Sequence, residues 1–135
     1  MTGARLRAYL AVESTTHSLY QLREMLDHFG TGGYERGSLS PFSRQVRNES
    51  SWTLDLVLTS DLHAGNEALS SSLESLGPVF AQSLGAMHAL GCNVLLMVIQ
   101  EISHDPQTKG IILSPTAIEW LATAHAKAVV DQYIG

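Results

Sequence analysis

"CNVLLMVIQ", Cys92–Gln100, is apolar at nearly every position. A strand with one wet face alternates apolar with polar, whereas a run apolar on both sides belongs inside a sheet or at an interface. The stretch therefore predicts a central strand. Its second face is expected to be covered, by a long loop or by a second subunit. The rest of the chain has to supply that strand's neighbours.

Upstream, "RLRAYLAVE" alternates cleanly, with Leu6, Ala8, Leu10 and Val12 on one side and Arg5, Arg7 and Tyr9 on the other. "SWTLDLVLTSD" alternates too, and reads as Trp52, Leu54, Leu56 and Leu58 on the buried side. Between these strands the period changes. Leu19, Leu22, Met25, Leu26 and Phe29 recur at helical spacing, with Thr15 or Thr16 as N-cap and Gly30 as the stop. From about Asn66 to Leu90, Leu69, Leu73, Leu76, Phe80, Leu84 and Met87 form one apolar stripe, interrupted by Gly77-Pro78, where a kink is expected. After the central strand come the turn-rich "SHDPQTKG" and "IIL", read as a short strand. A helix opened by Ser114 and Pro115 follows, then a closing strand "VVDQYI".

The order predicts a single domain over 1–135. It is an α+β two-layer sandwich, with a mixed or mostly antiparallel sheet of four or five strands and about three helices on one face. At 135 residues and 44% hydrophobic content the chain is long enough for one core without disulfides. The lone Cys92 lies in an apolar run and fits a reducing compartment. No signal-peptide core or membrane-spanning apolar stretch is seen, so a cytoplasmic protein is expected. The net charge is −5. The first 50 residues hold six arginines against five acids, and the remainder two lysines against eight. An acidic chain of this kind is a poor match to a nucleic-acid backbone.

The glycine-rich "FGTGGYERG", Phe29–Gly37, invites a phosphate-binding reading. Phosphate loops follow a strand and open a helix, so that backbone N–H groups meet the anion. Here the glycines close a helix, at its negative end, and no Lys-Ser/Thr pair follows. The stretch reads as a helix stop and surface loop. The six histidines (His17, His28, His63, His88, His104 and His125) have no H-x-x-x-H or Cys/His spacing, so no metal is assigned. His104-Asp105 reads as a solvated turn and His125 as an edge-of-core residue. No cofactor motif and no nucleophile elbow occur. Asp55, Asp61, Glu101 and Asp131 could meet in space, but no motif joins them.

What is left is a binding face. Arg5, Arg7 and Tyr9 on the first strand, Tyr34, Arg36 and Arg44 in the loop, and Tyr133 on the last strand are candidate binding residues, because arginine and tyrosine anchor protein interfaces. The alternative for all of them is a solvated sheet face.

Taken together, these motifs resemble a bacterial family catalogued only as a domain of unknown function, family 4279. "RLRAYLAV", "ERG", "SSWTLDLVLTSDLHAGNEALSSSLESLGPVF", "ILSPTAIEWLA" and "VVDQYI" carry the resemblance in order and spacing. It implies an α+β domain and no established activity. "FGTGGYERG" departs from the longer proline-containing segment usual in the family. The expected function is a non-catalytic binding or protein-interaction module, with a protein partner or a homodimer, no nucleic acid and no membrane. The alternative is a small-molecule-binding domain or a small enzyme.

Overall fold

In the computed structural model, which describes residues 5–102 and 110–134, the central run is β4 (Asn93–Ile102). It lies in a five-stranded sheet between β1 (Arg5–Ser14) and β5 (Lys127–Ile134). Beyond β1 come β3 (Ser50–Thr59) and the short β2 (Gly32–Tyr34), giving the order β2-β3-β1-β4-β5. The pairs β2–β3, β3–β1 and β1–β4 are antiparallel. β4–β5 is parallel, because the chain returns through α3 (Pro115–Ala124) rather than a hairpin. With α1 (Leu19–Leu26) and α2 (Leu62–Ala89) the result is a mixed-sheet α+β fold, with the helices on one face.

The helix-facing side of β1 is as the alternation requires: Leu6, Ala8, Leu10 and Val12 are all fully buried. Val94, Leu96 and Val98 of β4 join them, as do Leu69, Leu73 and Leu84 of α2. Trimming any one of these leucines to alanine would cost about 2–5 kcal/mol, since removal leaves both lost transfer energy and a cavity.

β3 departs from the simple pattern. Its register against β1 slips between Ala8 and Tyr9, which pair with Val57 and Asp55 respectively. Leu56 is the extra residue of a β-bulge. Beyond it the faces exchange: Val57 turns into the core, and Leu58, expected inside, stands 69% exposed on the opposite face.

Local chemistry sets the helix ends. Ser18, rather than Thr15 or Thr16, caps α1: its hydroxyl accepts from Gln21 N, and the Gln21 side chain returns to the Ser18 backbone, a capping box. Glu35 adds a second acceptor at the same end, taking Leu19 N at 3.0 Å. α1 stops at Asp27, in the left-handed conformation, before Gly30 is reached. α2 breaks at Gly77, whose φ of 83° is not helical, ahead of Pro78. Ser114 caps α3 with Pro115 beside it, as the sequence indicates. "IIL" forms no strand. It lies against α2, where Ile112 N donates to Asn66 Oδ1 and Ser114 N to the Ser70 hydroxyl.

Three of the glycines of "FGTGGYERG", Gly30, Gly32 and Gly33, serve packing. Gly32 and Gly33 are most of β2, and Gly33 (φ 146°) lies so close to β3 that a Cβ there would sit 2.3 Å from the Ser51 carbonyl oxygen. The chain beyond folds into an irregular hairpin closed by a Leu39–Val46 bridge, with Phe42 at its tip 97% exposed.

Candidate functional site: the open face of the sheet

The side chains that alternate away from the helices land on a face that no described helix covers, although Ala11 and Ser51 are themselves buried there. Cross-strand registers place those side chains in rows. Tyr34, Ser51, Glu13 and Asn93 form the first; Thr53, Ala11, Leu95 and Lys127 the second. Asp55, Tyr9, Met97 and Val129 form the third, and Leu58, Arg7, Ile99 and Asp131 the fourth. Arg5, Glu101 and Tyr133 complete it. Along β4 and onto the edge strand β5 runs an apolar strip, half-buried Leu95, Met97, Ile99 and Val129, with exposed Leu58 on β3 across Arg7 from it. The second apolar side of the central strand is real, then, but the long loop does not cover it.

Four of the sequence candidates share this surface near the strip. Arg5 donates to both Glu101 carboxylate oxygens, at 3.2 and 3.3 Å, in an exposed ion pair. The Arg7 guanidinium lies over the Tyr9 ring, 5.0 Å from its centroid, and makes no hydrogen bond or ion pair among the described residues. Tyr133 donates to Asp131 Oδ2 at 3.3 Å, and that carboxylate, followed by the hydrogen bond itself, pushes the phenol pKa up. Tyr34 is on the same face but at the far end, under the Arg47 guanidinium at 4.0 Å.

Arg36 and Arg44 do not join them. Arg36 reaches back to the Thr15 carbonyl and its own N–H is held by the Ser50 hydroxyl, so it fastens the loop to the end of β1. Arg44 occupies a left-handed turn in the hairpin (φ 56°). The face is accordingly not an arginine patch. Glu13, Asp55, Glu101 and Asp131 interleave with Arg5, Arg7 and Lys127, giving a surface of mixed sign.

An open depression of about 420 Å³ lies at the Arg7 end, lined by Arg5, Arg7, Asp55, Leu58, Ile99 and Glu101. The Asp55 side chain, like that of Arg7, makes no hydrogen bond or ion pair among the described residues. At the other end the Glu13 carboxyl is perturbed. Partial burial raises its pKa, the neighbouring Glu49 raises it further, and Lys127 opposes the shift. Burial, then Glu13 and Glu49, push the Tyr34 phenol up as well.

Sequence reasoning raised Asp55, Glu101 and Asp131 only as acids that could meet in space, and missed Leu58 and the apolar strip as parts of the surface they share. The signal was present in the two-sided "CNVLLMVIQ", but the bulge that delivers Leu58 leaves no mark in the pattern.

Elsewhere the candidates resolve into structure. Cys92 is buried, which raises its thiol pKa against the opposing Ser14 hydroxyl. His125 is not at the core edge: it is the exposed left-handed cap of α3, and its ring stacks on His88 at 4.8 Å. Parallel rings stacked in this way cannot both aim a nitrogen lone pair at one ion. His104 and Asp105 lie outside the described residues. No group of three or more metal-ligating side chains occurs among the described residues, and no described helix is long and apolar enough to cross a membrane.

A family model described as a domain of unknown function (DUF4279) matches residues 4–135. The chain belongs to that family. No curated protein and no solved structure matches it.

Proposed function

We propose that this DUF4279 chain is a non-catalytic interaction module that docks a protein partner on the open face of its sheet. The observation that carries the reading is the uncovered apolar strip Leu95–Met97–Ile99–Val129, framed by tyrosines and by charges of both signs. An apolar centre with a polar, arginine- and tyrosine-bearing rim is the composition of a protein interface. Arg7 and Asp55 supply specificity. Neither side chain holds a hydrogen bond or ion pair among the described residues, so a partner carboxylate on Arg7 and a partner cation on Asp55 would add charge-assisted hydrogen bonds without breaking any.

A photo-crosslinking side chain at Met97 tests the reading, with the same group at exposed Val79 on α2 as control. In a lysate of the source organism, Met97 should capture one defined protein that Val79 does not. Arg7→Glu should abolish capture while leaving the melting temperature unchanged. Capture that is equal from both positions, or indifferent to Arg7→Glu, counts against the face.

The depression between Arg7 and Asp55 favours a second reading, a small carboxylate-bearing ligand held by the arginine. A thermal-shift screen separates the two. Ligand at about 100 times its dissociation constant stabilises by roughly 2.7 kcal/mol, a shift that Arg7→Glu should erase.

A further inference from the structure

The two edges of the sheet are built differently. β2 is three residues long, and Gly33 at φ 146° ends any flat template there. β5 is eight residues long and regular, in unbroken register with β4 from Lys127 to Ile134, with no proline and no bulge. Nothing among the described residues pairs with its outer side. It also overhangs the helical layer: Ala128, Val130 and Gln132 point to the helix side of the sheet, yet all three are exposed. Long regular edges expose a row of unmet N–H and C=O groups, which sequences usually blunt.

We infer that β5 is the dimerisation edge of this chain, and that its occupant is the β5 of a second copy, antiparallel across a two-fold axis at Val129. The charge pattern fixes the register. Lys127 and Asp131 lie on the same face, two residues either side of Val129. Antiparallel pairing about Val129 sets each Lys127 directly opposite the other copy's Asp131, twice by symmetry. On the other face it sets Val130 opposite Ala128, covering apolar surface that is 46% exposed at Val130. Centring on Asp131 instead would oppose two carboxylates. The paired sheet carries both open faces on the same side, so this inference extends the docking reading without depending on it.

Sedimentation of the full chain over a concentration series is the test, on wild type, Lys127→Asp, Asp131→Lys and the double reversal. Wild type should dimerise reversibly. Each single reversal places like charges opposite one another at two positions and should weaken association about tenfold or more. The double reversal should restore the wild-type constant. Mixing the two single variants should yield a heterodimer, which also shows that both are folded. A wild type that stays monomeric at every concentration overturns the inference. So does a dimer indifferent to both single reversals, which would place the contact elsewhere.

Discussion

Trp120 of α3 donates its indole N–H to the Gly77 carbonyl, 2.9 Å away, at the break in α2. The kink frees carbonyls that a continuous helix would have paired, and the indole takes one of them. The same ring stacks on Phe80, 6.4 Å between centroids, and Phe80 in turn packs against Trp52 and His28. Trp120→Phe keeps the ring and deletes the donor. It should cost about 1–2 kcal/mol, the value of a part-buried hydrogen bond left unmade. Trp120→Ala should cost about 3–5 kcal/mol. Urea unfolding reads both, and a Phe variant as stable as wild type would show that the bond does not hold the two helices.

Glu13 makes stability depend on pH. Its folded pKa is raised above 4.5, by burial first and by Glu49 second. The native state therefore keeps a proton that the unfolded chain has already lost, and stability falls as pH climbs from about 4.5 through the raised value. Below that window both states are protonated and the group is neutral in the balance. Glu13→Gln cannot ionise, so its melting temperature should exceed that of wild type at pH 7 and converge with it at low pH. A wild type that gains stability relative to Glu13→Gln on going from acid to neutral would reverse the sign and refute the account.

Strand period carried most of the sheet into view from sequence. Leu6, Ala8, Leu10 and Val12 alternate without exception, and nothing in the fold contradicts them. Three features escaped. The bulge at Leu56 escaped because Leu56, Val57 and Leu58 are all apolar, so either neighbour could face the core, and only the partner's register shows the exchange of Val57 for Leu58. The Ser18 cap escaped because three candidate hydroxyls precede α1, and the choice falls to the one with Gln21 three residues on. The mixed charge of the open face escaped because its acids, Glu13, Asp55, Glu101 and Asp131, come from four different strands. Arg36 misled for the same kind of reason: its guanidinium serves the Thr15 carbonyl, a contact 21 residues away in the chain.

Gly33 and Gly37 separate two reasons for being glycine. Both have positive φ, 146° and 86°, but a Cβ at Gly37 meets nothing within 4 Å, whereas at Gly33 it meets the Ser51 backbone. Gly33→Ala must push β2 off β3 and should cost roughly 3 kcal/mol or more, summing backbone strain with lost pairing. Gly37→Ala pays only for the left-handed conformation, about 1–2 kcal/mol. Comparing the two melting temperatures checks the order, and equal losses would mean that the close approach at β2 is not rigid.

Cys92 is 3% exposed, with its thiol pKa pushed up by burial. Thiolate is the reactive form, so both access and ionisation work against modification of the folded protein. Reaction with a disulfide reagent should then proceed only through opening, and its rate in increasing urea should track the unfolded fraction. Trp120→Phe, by destabilising the whole domain, should speed the reaction by the same factor as it raises the unfolded population, although it is far from Cys92 in sequence. A rate that ignores both urea and Trp120→Phe would mean a local opening near β4, and would reassign Cys92 from core packing to an accessible, reactive position.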